Sequence, residues 1–181
     1  MTTETAVRTW NIDAAHSIAE FAVRHMMVST VKGRFGSLEG AIEGDVANPT
    51  ASSVRATIDV ASIDTHDPQR DAHLRSDDFF NAEKYPHITF SSKRVERVDD
   101  EKYRVVGDLT IRGVTKEVVL DTEFEGQVRD PWGNQRAGFT ATTQINRRDF
   151  GVNFNAALET GGLVVADKVK ITLHIEAVRP A

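Results

Sequence analysis

The chain has 181 residues, no cysteine, and a formal charge of −5 from 22 basic and 27 acidic residues. The missing thiol excludes disulfide frameworks, zinc–thiolate sites, iron–sulfur clusters and cysteine nucleophiles, and the acidic balance argues against a general nucleic-acid binder. Hydrophobic residues make up 40% and charged residues 27%, a globular composition, and a chain of this size buries about 70% of its unfolded surface, enough for one domain with a sizeable core.

No run of about 18 apolar residues is present, so no membrane-spanning helix is expected. The first ten residues carry neither an apolar stretch of signal-peptide length nor a small-residue cleavage pattern, so a cytoplasmic location is expected. There is no Gly-x-Gly-x-x-Gly, no phosphate-binding loop, no His-Glu-x-x-His and no Gly-x-Ser-x-Gly, which weakens an enzymatic reading without removing it.

Along the chain the dominant signal is alternation of apolar and polar residues, the mark of strands with one buried and one wet face. Ala19, Phe21, Val23 and His25 share one face of the first such segment. Leu38 and Ile42 share a face with Gly36, Gly40 and Gly44. These glycines either leave room inside a barrel or let its strands coil. Ile58 with Val60, then Ile88 with Phe90, continue the pattern. Val105, Leu109 and Ile111 follow, then Val118, Leu120 and Phe124, where Lys116 falls on the apolar side. Phe139 and Ile145 flank small or polar Ala141 and Thr143, and Val169, Ile171, Leu173, Ile175 and Ala177 close the series. Turn signals separate the segments at 47–49, 99–101, 112–113 and 130–134.

One region breaks the alternation. Asp67-Pro68 offers an N-cap followed by proline at the first helical position, with a helix over Gln69–Leu74. Ser76-Asp77-Asp78 caps a second short turn through Phe79-Phe80, and Tyr85-Pro86 ends it. A further helical piece near Asn155–Glu159 is expected. Many antiparallel strands with one helical insert near residues 67–84 predict an all-β barrel or sandwich of about eight strands. Ten residues per strand give a barrel about 25 Å tall, and eight strands is the size at which the interior either fills or holds one small ligand.

Several polar clusters invite a chemical reading. Asp13, His16 and Ser17 resemble a Ser/His/Asp set, although neighbours in sequence seldom point at each other; hydrogen bonding that closes a barrel end is the competing reading. His66, His73 and His87 with His16 and His25 form a candidate metal set, but no helical i, i+4 pair is present, and no metal is expected. Arg70, Asp71 and His73, and Arg147 with Asp149, either hold a ligand's polar head at a barrel mouth or form structural ion pairs. Leu74, Phe79 and Phe80 line an apolar chamber or pack a helix onto the barrel.

The ordered motifs Trp10-Asn-Ile-Asp13-x-x-His16-Ser17, Phe21-x-Val23-x-His25, Arg70-Asp71-x-His73-Leu74, Tyr85-Pro86-x-Ile88-x-Phe90 and Asn146-Arg147-x-Asp149-Phe150-Gly151 resemble the YceI-like family over residues 10–178. The resemblance implies a lipocalin-like antiparallel β-barrel around an elongated apolar cavity. It implies binding of an isoprenoid quinone or polyprenyl phosphate by a carrier, store or sequestering protein, with no cofactor beyond that lipid and no nucleic-acid partner; a homodimer stays open. The expected ligand-binding residues are Phe21, Val23, Leu38, Ile58, Val60, Leu74, Phe79, Phe80, Phe90, Leu109, Phe139, Ile145 and Phe150, with His16, His25, Arg70, Asp71, His73, Arg147 and Asp149 as polar groups at a mouth. The alternative is an enzyme acting on an apolar substrate through the His and Asp residues.

Overall fold

The computed structural model describes residues 8–45, 48–155 and 164–181. Its strands are β1 (Thr9–Ile12), β2 (Ile18–His25), β3 (Ser29–Phe35), β4 (Leu38–Asp45), β5 (Asn48–Asp59), β6 (Ile63–Asp64), β7 (His87–Arg97), β8 (Lys102–Ile111), β9 (Val114–Arg129), β10 (Gln135–Asn146) and β11 (Val165–Arg179). One helix, α1 (Pro68–Arg75), and two 3-10 turns, Val60–Ser62 and Arg147–Phe150, complete the described elements.

Eight strands close into an antiparallel barrel in the order β1-β4-β5-β7-β8-β9-β10-β11, with β11 returning to β1. Closure depends on β11. One of its edges pairs with β10 from Asn146↔Lys168 to Gln135↔Arg179. The other edge carries β2 as far as His174↔Ile18 and then β1 at Ala177↔Ile12 and Val178↔Asn11. On that edge β2 continues the barrel wall beside β1, β3 pairs with β2, and β6 pairs with β3. The Asp13–Ser17 turn lies between β1 and β2. It is stitched to β11 where Asp13 N donates to Glu176 O at 2.8 Å and Glu176 N donates to Ser17 Oγ at 3.0 Å.

At this seam Trp10, Ile42, Ala137 and Ala177 pack together, and the Arg179 guanidinium lies 5.4 Å from the Trp10 ring centroid. Gly40 shows why a glycine stands on β4. A Cβ there would run into Arg55 O and lie 2.8 Å from Ile12 Cδ1, so glycine admits a close strand approach and opens no room. Gly36 faces open space at the surface, and Gly44 adopts φ +135°.

The other end is closed by helical pieces. Asp67 caps α1 by accepting from Gln69 N and Arg70 N, as its sequence predicts. The Arg147–Phe150 turn ends on Gly151 in the left-handed region at φ 76°. The helical piece expected near Asn155–Glu159 lies, beyond Asn155, outside the described residues.

Candidate functional site: an apolar lumen

A cavity of about 260 Å³ runs inside the barrel, from Leu74, Phe79 and Phe80 beneath α1 to Pro49 and Ser52 on β5. That is more than ten times the space one water needs, so it is a lumen and no packing defect. Burial agrees: Phe21, Val23, Phe90, Leu109, Phe139 and Ile145 all line it, yet each is only half-buried. Their strands turn them inward, where they border the cavity while packing at their flanks against the core, as Phe21 does on Phe35 and Phe139 on Phe124.

Twelve of the thirteen residues expected to contact ligand line this cavity: Phe21 and Val23 on β2, Leu38 on β4, Ile58 on β5, Phe90 on β7, Leu109 on β8, Phe139 and Ile145 on β10, Leu74 on α1, and Phe79, Phe80 and Phe150 in the turns. Val60 does not. The strand ends at Asp59, whose carboxylate accepts from Ala61 N and starts a 3-10 turn, so the period-two pattern stops one residue early. Val60 is buried instead in the core cluster with Phe35, Ile63 and Phe79.

Alternation on the remaining strands adds Val95, Tyr103, Val105, Val118, Leu120 and Ile171 to the wall. The polar side chains in the lining are Ser52, Thr89, Tyr103, Thr122, Thr143 and Arg147; among the described residues no carboxylate and no histidine faces it. Tyr103 Oη donates to Asp100 O at 3.4 Å, and Thr122 Oγ1 donates to Leu120 O at 3.2 Å.

Arg147 is buried, and its nitrogens are engaged. Nε donates to Ala166 O at 2.9 Å, Nη1 to Val152 O at 2.7 Å and Nη2 to Val165 O at 3.3 Å. Burial lowers its pKa, partly offset by Asp167. It staples the turn after β10 to the start of β11. Asp149 in that turn is exposed.

Arg70 and Asp71 form a similar knot. Asp71 is buried and accepts from both Thr65 N (2.9 Å) and Thr65 Oγ1 (2.5 Å). Arg70 donates through Nε to Thr65 Oγ1 at 2.8 Å and through Nη2 to Thr65 O at 2.7 Å. Both clusters therefore have structural work at the helical end.

The histidines are scattered. His73 Nε2 lies 2.8 Å from Asp78 Oδ2, and its ring meets the edges of Phe79 and Phe154 with centroids 5.0 Å apart. His25 closes β2 opposite Ser29. His16 Nδ1 lies 2.8 Å from Asp13 Oδ2 on the outer surface, at the β1–β11 seam. Ser17 spends its hydroxyl on the Glu176 backbone and meets neither. The ligand atoms of Asp13, His16 and Glu176 lie within 4.8 Å of one another. Arg136 already serves that cluster: its Nη1 stands 2.9 Å from Asp13 Oδ2 and 3.2 Å from Glu176 Oε1, and its Nε 2.8 Å from Asp130 Oδ2. The bond from His16 and that from Arg136 hold the Asp13 carboxyl below its usual range.

What this arrangement can do is enclose an apolar chain. The wall offers dispersion contact and exclusion of water, and among the described residues no cluster of carboxylates and histidines converges on it. Among the described residues no helix is long and apolar enough to cross a membrane.

Known proteins share this architecture. BcnA of Burkholderia cenocepacia superposes with a TM-score of 0.79 at 28% identity, over 91% of this chain and 98% of its own. A Campylobacter jejuni YceI protein gives 0.76 at 34% identity, over 87% and 90%. A domain from Saccharophagus degradans, described as polyisoprenoid-binding and implicated in plant cell wall breakdown, shares the fold with a TM-score of 0.73 at 17% identity, over 94% and 98%. In sequence, a UPF0312 protein of Staphylococcus aureus strain N315 is 43% identical over 168 residues, 92% of this chain and 95% of that protein. The YceI-like domain model matches residues 10–177, the span from the Trp10 strand to the Ala177 strand that closes the barrel, and the chain belongs to the YceI-like family.

Proposed function

We propose that this protein binds the long apolar tail of a polyisoprenoid, an isoprenoid quinone or a polyprenyl phosphate, inside the barrel, and acts as its carrier, store or sequestering protein. The observation that carries the reading is the elongated lumen walled by aliphatic and aromatic side chains. The Saccharophagus degradans domain of the same fold, described as polyisoprenoid-binding, supports it.

Each buried methylene contributes about 0.8 kcal/mol, so one five-carbon isoprene unit brings about 4 kcal/mol before ordering costs. Binding along a featureless wall is non-directional, which suits a repetitive hydrocarbon better than a polar substrate. The twelve lining residues named above are the proposed tail contacts. Arg70 Nε and Nη2, Asp71 Oδ1 and all three Arg147 nitrogens are engaged in internal bonds, which favours a head group held outside the lumen. That no carboxylate or histidine among the described residues faces the lumen favours binding over turnover.

Native mass spectrometry with organic extraction, on protein purified from its own host, tests this. A stoichiometric prenylated lipid is expected. Protein that arrives empty and takes up neither added prenyl quinone nor prenyl phosphate would overturn the reading.

A further inference from the structure

The hairpin joining β2 to β3 ends in Met26, Met27 and Val28, which are 43%, 65% and 79% exposed. Three consecutive exposed apolar residues at a hairpin tip run against ordinary surface composition. Their backbone is costlier still. Val28 N donates to His25 O at 3.2 Å, and both central residues of this turn lie in the left-handed region, Met26 at φ 52° and Met27 at φ 62°. Asparagine and glycine take such positions readily; methionine does not. The turn is also braced. Arg24 donates through Nη1 to Thr30 Oγ1 at 3.1 Å and through Nη2 to Met27 O at 3.2 Å, and Met26 N donates to Val164 O at 2.7 Å. A strained, fixed and exposed apolar tip points to a partner.

Two observations say which. First, the tip continues the lumen wall: Val23 and Val165 line the cavity, and Met26 begins three residues beyond Val23. Second, the outer face beside it is basic although the whole chain carries −5. Lys32 and Lys170 flank Ala22 from the two neighbouring strands, Lys168 and Arg24 lie nearer the tip, and all four are exposed. None of the three lysines has a carboxylate partner among the described residues; Asp167 nearby is held by Arg148 at 2.7 Å.

We propose that the Met26–Val28 tip inserts into an anionic lipid bilayer, with the lysine face on its headgroups, and docks this end of the barrel on the membrane from which cargo comes. The cargo clause rests on the proposed function; the docking does not. A second apolar tip, Trp132 at 78% exposure, stands at the opposite end, where Arg136 is already held by the Asp13, Asp130 and Glu176 carboxylates and no row of unpaired lysines lies beside it among the described residues.

The test is cosedimentation of the intact chain with phosphatidylglycerol-containing vesicles and with pure phosphatidylcholine vesicles. Binding to the anionic vesicles is expected to weaken with salt. It should fall about tenfold in Met27→Ser/Val28→Ser and in Lys32→Glu/Lys170→Glu, and stay at wild-type level in Trp132→Ser. Met26→Asn/Met27→Gly keeps the test independent of folding: it should melt higher than wild type and still lose the vesicles. Absence of vesicle binding, equal binding by the tip variants, or a dimer in ultracentrifugation that the tip variants dissociate would each overturn the proposal, the last in favour of a second copy of this chain. Cargo uptake from detergent, read by native mass spectrometry on the same proteins, separates the two readings. Tip variants that fill normally leave the lumen reading standing whatever the vesicles show, and a chain that docks but never fills refutes the cargo reading alone.

Discussion

Replacing Thr143 by tryptophan puts the lumen reading to a quantitative test. Thr143 lies on β10 between Ala141 and Ile145; all three line the cavity, and Thr143 is half-buried because it faces the void. An indole there enters open space, so the cost of crowding a packed core, typically 1–3 kcal/mol, is largely avoided. It occupies room that a tail requires. Displacing one isoprene unit of five carbons removes about 4 kcal/mol at about 0.8 kcal/mol per carbon, close to a thousandfold in affinity. Gln144, one residue on, is exposed on the outer face, so Gln144→Trp adds the same ring without touching the lumen. The assay is a binding isotherm for a prenyl quinone delivered from detergent, with a thermal melt to show that each variant is folded. Thr143→Trp is expected to lose about three decades of affinity while Gln144→Trp keeps wild-type affinity. A folded Thr143→Trp that binds as wild type would refute the placement of the tail.

Two further outcomes follow from the polar clusters. Arg147→Met removes three donors and leaves the carbonyls of Val152 and Ala166 short of a partner, while Val165 O keeps the bond from Asn155 Nδ2 at 2.7 Å; a loss of about 3 kcal/mol is expected, read as a Tm lower by roughly 6–12 °C, and an unchanged Tm would show that water re-pairs the two carbonyls. Burial raises the Asp130 carboxyl, but the Arg136 guanidinium and the amides of Asn134 and Trp132 outweigh it and bring it from 3.8 to about 2. Because the folded value is the lower one, the stability it contributes is present above about pH 4 and is lost as pH falls toward 2. Acid titrations of Asp130→Asn should lack that part of the unfolding limb, and a superimposable limb would count against it.

The barrel was legible because each strand keeps one wet face. From Phe21 and Val23 to Phe139 and Ile145, parity alone chose the inward side, and the cavity lies there. Parity failed where strands stop pairing. Val60 falls past the end of β5, in a turn nucleated by Asp59. Lys116, on the apolar side of its segment, is explained by register: β9 pairs with β10 only as far as Asp121↔Thr142, so residues 114–120 have no β10 partner and Lys116 reaches solvent. Long-range partners were illegible for a different reason. The acceptors of Arg147 and the contact of Asp13 with Arg136 join residues distant in sequence, and no local pattern encodes them. The family motif Arg70-Asp71 drew attention as a head-group clamp, whereas in the structure both side chains close on Thr65, five and six positions back.

The double edge of β11 has a consequence for how the molecule is made. The ring cannot shut until the strand holding Ala177 meets the strand holding Trp10, a pairing across nearly the whole polypeptide. On a ribosome every other strand emerges first, so the growing chain is an open sheet with its future lumen turned to water and both edges unpaired. Contacts this remote in sequence form slowly, and the exposed apolar face is an aggregation hazard throughout. On the proposed function, a lipid that coats that face before β11 docks would shield it, and the ligand would then serve as a folding partner too.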